Sequence, residues 1–286
     1  MPRMLRGLAP IGEAPVSETH RGTVPKPDSL LGGTFGGPSR RGTIAVRDKP
    51  SQRERNLVNI STSRIRIWDL PTRTFHWALV VCVTGLIVTG KVGGEWLAWH
   101  FRLGFTVFAL LLFRLVWGFI GGRWSRFSSF LYAPGTVLRY LRGQGDALHE
   151  MGHSPLGAGS VFMMLLVLAA QVGSGLFADD EIATTGPLAR FVSTGTSLLL
   201  TSYHRHVGQW VILALVALHI GAIAYYRLAK GRNLVGPMIH GDKLMANAGL
   251  AAPTLASSDG TSSRVMALIL LGVCAGVVAW VVSLGG

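Results

Sequence analysis

"TSYHRHVGQWVILALVALHI", residues 201–220, sets three histidines in a run otherwise apolar enough for lipid. Histidine is costly in hydrocarbon, so His204, His206 and His219 call for a chemical role. The run also decides the fold, because about 20 apolar residues make one helix across a bilayer. Runs of this kind fall near 72–91, 97–121, 155–178, 203–226 and 265–284. With 49% hydrophobic and only 14% charged residues among 286, the chain spends its apolar excess on them. No charged stretch followed by a short apolar one opens the sequence, so these runs read as spans rather than a secretory signal. The expected fold class is all-α: a polytopic membrane bundle of four helices plus a fifth C-terminal transmembrane helix, multi-pass in the lipid bilayer.

The net charge of +13 is unevenly placed. Residues 1–66 carry 12 of the 27 Lys and Arg and 7 of the 13 Pro, without helical or strand periodicity. Such a segment cannot bury enough apolar surface to order itself, and residues 1–63 read as a disordered basic arm. Beside a membrane span, basic charge fixes topology or touches anionic lipid, so no nucleic-acid partner is expected. The 122–154 and 227–264 loops are also basic, whereas 179–202 holds Asp179, Asp180 and Glu181 against Arg190 alone. The positive-inside rule then puts the N-terminus and the two basic loops in the cytoplasm. Trp68, Trp77, Trp96, Trp99, Trp117 and Trp124 fall at helix ends, as interfacial aromatics do. The further divisions are 64–241 for the four-helix unit, 242–264 for a linker and 265–284 for the additional helix.

Depth sorts the membrane histidines into pairs. His76 enters the first helix from the cytoplasmic side, and His100 enters the second from the outside. His204 lies at the outer start of the fourth helix, and His219 lies 15 residues on, roughly 22 Å deeper. The pairs are therefore His76 with His219 and His100 with His204. Two haems stacked across the membrane, each between two imidazoles, account for that arrangement. For any one histidine, a hydrogen bond to neighbouring backbone is an equal explanation; four at two matched depths favour ligation. At about 100° per residue, His204 lies about 60° from His219 around the helix and His206 about 140°, so His206 is the reserve ligand. No CxxCH is present, which rules out covalent c-type attachment, and Cys82 and Cys274 read as small apolar residues.

The stretches "RIWDLPTRTFHWALV" (66–80), "WHFRLGFTVFALLLFRLVWGFIGG" (99–122), "GHSPLGAGSVFMMLLVLAAQVGSGLF" (152–177) and "HRHVGQWVILALVALH" (204–219) resemble the bacterial cytochrome b561 family. That family includes the b-type subunits of nickel–iron hydrogenases. The resemblance runs from about 64 to "GPMIHGD". It implies a four-helix haem bundle with two non-covalent haems b, held by His76, His100, His204 and His219. It also implies electron transfer in a respiratory chain of the bacterial inner membrane, between a quinone (ubiquinone or menaquinone) and a redox partner. That partner is of the kind of a c-type cytochrome or an oxidoreductase subunit; quinol oxidation by the chain itself stays open. The alternative is a haem-bearing membrane anchor of a multi-subunit oxidoreductase such as a hydrogenase, with catalysis on another chain. The family's fourth-helix histidines are usually 14 apart, whereas here the spacing is 15 or 13.

Other residues carry two readings each. Arg73, Arg114 and Arg102 pair with haem propionates or snorkel to the interface. His153 contacts a propionate or quinone, or caps a loop. Gly85, Gly104 and Gly118 admit a flat macrocycle or close helix packing. The fifth helix reads as lipid-facing or as a contact in a homo-oligomer, and His20, His149 and His240 as solvated loop residues. A haem-free transporter using histidine relays is the reading from another class, and no internal repeat supports it.

Overall fold

The structure, a computed structural model, describes residues 62–145, 149, 151–181, 184–246 and 252–285. The basic arm, His20 included, lies outside the described residues. Among the described residues, five helices are long and apolar enough to cross a membrane. The first, α1 (Leu70–Val92), starts where Asp69 accepts a hydrogen bond from Thr72 N at 2.8 Å, with a proline inside the first turn. Asp at the cap and Pro just inside both favour a helix start. The helix stops at Gly93, whose φ of 67° suits a residue without Cβ. One short turn leads into α2 (Leu97–Ile120), which packs along α1.

A short helix, α3 (Pro134–Leu141), precedes α4 (Pro155–Leu176), whose cap Ser154 accepts from Gly157 N. The next span, α5, runs Thr194–Ala229 and contains a π turn at Tyr203–Gly208. It begins nine residues before the expected 203, because Ser193 caps it through Thr196 N and the polar stretch TGTSLLLTS is helical. Part of the expected outer loop is thus helix. After α5 come α6 (Val235–His240), β2 (Asp242–Ala246), α7 (Ala252–Leu255) and α8 (Thr261–Ser283).

The segment expected to be a bare linker is structured at its start. There β2 pairs antiparallel with β1 (Thr62–Arg66), Thr62 opposite Ala246 and Arg66 opposite Asp242. This hairpin-like clasp joins the entry to α1 with the exit from α5. Gly241, at φ 88°, makes the bend into β2, and a Cβ there would stand 2.7 Å from the Trp68 carbonyl. Ile65, Ile67, Trp68, Trp124 and Met151 form a small core under the clasp.

Three tryptophan readings change accordingly. Trp68, Trp117 and Trp124 are buried rather than interfacial, whereas Trp77, Trp96 and Trp99 are exposed. The fifth helix is not simply lipid-facing either. Ala267 and Cys274 of α8 join Phe75, Cys82, Val107, Leu110, Phe113 and Trp117 in the main apolar cluster. Small residues on α8 permit this close approach, as lipid-embedded packing requires. Both cysteines are free and lie in that seam.

Asp259, just before α8, ties this helix to the clasp. It accepts from Leu70 N at 3.0 Å and pairs with Arg66 and Arg264. Burial alone would raise its carboxyl; the Leu70 N–H and the Arg264 and Arg66 guanidiniums outweigh that and hold it below the usual carboxylate value.

Candidate functional site

Three helices bring the four predicted histidines together in two pairs. The rings of His76 on α1 and His219 on α5 have centroids 6.4 Å apart. Those of His100 on α2 and His204 on α5 are 6.1 Å apart. One iron between two imidazoles needs two metal–nitrogen bonds of about 2.0–2.1 Å plus about 1.1 Å from each nitrogen to its ring centre, roughly 6.3 Å in all. Both spacings fit that requirement. All four side chains are half-buried. Among the described residues no cluster of three or more His, Cys, Asp or Glu could hold a bare metal ion, so the pairs suit a prosthetic group that brings its own equatorial ligands.

The His100–His204 pair is oriented by backbone. His204 Nδ1 lies 2.9 Å from the Gln171 carbonyl, and His100 Nδ1 lies 3.1 Å from the Leu86 carbonyl. A carbonyl so placed accepts the Nδ1 proton and leaves each Nε2 as the basic nitrogen, the usual second support of a metal-bound histidine. Glycines give both rings their room. A Cβ on Gly175 would lie 2.9 Å from the His204 ring, and one on Gly90 3.2 Å from that of His100. A cavity of about 630 Å³ opens between the rings, lined by Leu86, Gly104, Phe105, Leu168 and Ile212 among others. It is of the size that takes a large flat ligand. His206 is exposed and lines the same cavity.

The glycines expected to admit a macrocycle divide. Gly104 lines the cavity, whereas Gly85 packs against Leu103 and Gly118 against Phe127. Gly90 and Gly175 instead give the His100 and His204 rings their space. Gly175→Leu is therefore expected to push His204 aside and to lower the haem content of the purified protein, read from the amplitude of the reduced spectrum.

Unsatisfied polar atoms gather around the His76–His219 pair. Buried and without hydrogen-bond partners are His76 Nδ1, Arg114 Nη1, His153 Nδ1 and Arg73 Nε. Buried orphans of this kind demand a partner, and a pair of propionates is a fitting one. Arg114 is 3% exposed, stacks on Phe127 at 4.7 Å and lies within electrostatic reach of His153. His153 does not cap α4; Ser154 does. His153 instead turns inward between Trp68 at 4.7 Å and Phe130 at 4.5 Å. Burial, then the charges of Arg114 and His219, push its imidazole down to about 3, so it is neutral at ordinary pH. Arg73 donates to the Ile239 carbonyl at 2.6 Å, with Asp259 3.9 Å away. Arg102 is exposed and lies over Trp99 at 5.1 Å. Of these arginines, Arg114 is the buried one, beside His153.

His149, read as solvated, is buried against Tyr132 and Tyr140, while His240 is exposed as expected. Asp69 was missed as a site residue. Fully buried, it accepts from Thr72 N, from Ser125 Oγ at 2.6 Å, from Gly122 N at 3.0 Å and from Trp117 Nε1 at 3.4 Å. It thereby fixes the end of α2 that carries Arg114. The signal was the sequence "WDLP", an aspartate one residue before Leu-Pro.

The fold and site define a class: a multi-pass helical membrane protein whose bundle pairs histidines from facing helices at two depths. The model of the prokaryotic cytochrome b561 family matches residues 67–241, and the chain belongs to that family. It is thus a membrane cytochrome of the b type, which implies haem b. It is 24% identical over 211 residues to a probable Ni/Fe-hydrogenase 1 B-type cytochrome subunit of Escherichia coli K12, covering 61% of this chain and 88% of that one. To a probable Ni/Fe-hydrogenase B-type cytochrome subunit of Rhizobium leguminosarum bv. viciae it is 25% identical over 225 residues, covering 65% and 91%. To one of Azotobacter chroococcum mcd 1 it is 24% identical over 216 residues, covering 62% and 87%. No solved structure matches the chain.

Proposed function

We propose that the chain moves electrons through the membrane by way of two haems b, one held by His76 and His219 and the other by His100 and His204. The observation that carries this reading is the pair of ring separations, 6.4 and 6.1 Å. Haem, when bound, would supply one-electron transfer, and the two histidine pairs would hold it. The protein's part is to hold, aim and insulate. Leu86 and Gln171 carbonyls aim one pair. Arg114, with the neutral His153 beside it, receives the propionates of the other, and buried Phe113 and Trp117 belong to the apolar packing of the surrounding bundle.

The basic loops support a cytoplasmic N-terminus, in a bacterial inner membrane, and on that reading the His76–His219 haem is the inner one. The partners are a quinone, ubiquinone or menaquinone, and a redox protein. A second reading is favoured by the relatives named as hydrogenase cytochrome subunits: the chain anchors such an oxidoreductase and accepts its electrons. Rapid mixing of the purified, oxidised protein with a short-chain quinol tests the first reading. Reduction of haem by quinol alone is expected, and reduction only in the presence of a hydrogenase would favour the second.

A further inference from the structure

The π turn at Tyr203–Gly208 contains both histidines of "HRH", and α4 grips it at two atoms. The Gln171 side-chain Nε2 donates to the His204 carbonyl at 3.0 Å, while the Gln171 carbonyl faces His204 Nδ1 at 2.9 Å. A π turn departs from the i→i+4 ladder and frequently marks a functional site. Here two successive carbonyls of the turn accept from side-chain amides: that of His204 from Gln171, and that of Arg205 from Gln209. Gly208 makes room for the clamp, since a Cβ there would collide with the Gln171 amide and meet the Tyr203 ring at 3.2 Å. One residue added to a helical turn lets fifteen positions keep the phase of fourteen, which accounts for His204 and His219 sharing the bundle interior.

We infer that Gln171 is a positioning residue: by clamping the π turn it decides that His204, and not His206, meets His100. This rests on the proposed ligation by His204. A lone glutamine inside "LVLAAQVGSGL" is otherwise hard to explain, because a polar side chain in a membrane helix is kept for an interhelical bond. His206, exposed at the same cavity, is the residue a relaxed turn would offer instead.

The test uses the full chain in detergent, with haem titrated into the apoprotein and the low-spin EPR signals of the oxidised protein recorded. Gln171→Met keeps length and volume but removes the amide. It is expected to weaken haem binding at the His100–His204 pair about ten- to a hundred-fold, the usual effect of losing an outer-shell support. It is also expected to move that haem's EPR signal and leave the other untouched, so the other signal reports intact folding. Gly208→Ala should give the same signature. His206→Ala alone should keep both haems, whereas in the Gln171→Met background it should remove the haem of this pair. Unchanged affinity and EPR in Gln171→Met, or equal loss of both haems, would overturn the clamp. Retention of two haems by His204→Ala would instead overturn the ligand reading beneath it.

Discussion

His219→Ala is expected to leave a protein with one haem in place of the two proposed for the wild type. The imidazole of His219 faces His76 at 6.4 Å, and the other pair is on a separate level that shares only α5 with it. A haem with one axial ligand gone binds weakly, and the freed site also exposes the orphaned polar atoms of Arg114 and His153. The reduced-minus-oxidised spectrum should lose about half its amplitude, and the remaining haem should keep its potential. His76→Ala should give the same result, which separates loss of a ligand from a local effect at α5. Retention of both haems would remove His219 from the ligand set.

Asp69→Ala is expected to produce the largest loss of stability among the single changes considered. The carboxylate caps α1, receives Ser125 Oγ, Gly122 N and Trp117 Nε1, and is the nearby countercharge to buried Arg114. Losing the cap costs about 0.5–2 kcal/mol, and each buried donor left unpaired adds about 1–3 kcal/mol. An uncompensated buried arginine adds to this, so the loss is at least about 4 kcal/mol. Thermal unfolding in detergent should show a clearly lowered Tm. Because Arg114 loses its anchor, the haem of the His76–His219 pair should be released first on heating. Asp69→Asn, which keeps the shape and some of the bonds, should fall between the two.

Much of this molecule is legible in the sequence, because the strongest signals in a membrane protein are local. Five apolar runs read as five spans, since hydrocarbon leaves the backbone little choice but helix. His76, His100, His204 and His219 stand out because polar side chains are scarce there. Depth counted along each helix then pairs them as the folded chain does.

What escaped depends on partners distant in sequence. The pairing of Thr62–Arg66 with Asp242–Ala246 joins strands about 180 residues apart, and short charged strands carry little periodicity. The start of α5 at Thr194 hides in a Thr- and Ser-rich stretch whose cap, Ser193, looks like loop. Helical phase counted at 100° per residue cannot register a π turn, so the one at Tyr203–Gly208 leaves no trace in the spacing of the histidines. Burial of His149, His153 and Trp117 comes from elements that close over them, and the sequence around each resembles an ordinary interfacial loop or helix end.

The measurement that bears most directly on the whole account is a pyridine haemochrome assay on the purified chain, read against protein concentration. Two haems b per polypeptide are expected, one for each histidine pair. A well-folded protein that carries no haem, or one that carries a single haem unaffected by loss of either pair, would contradict it.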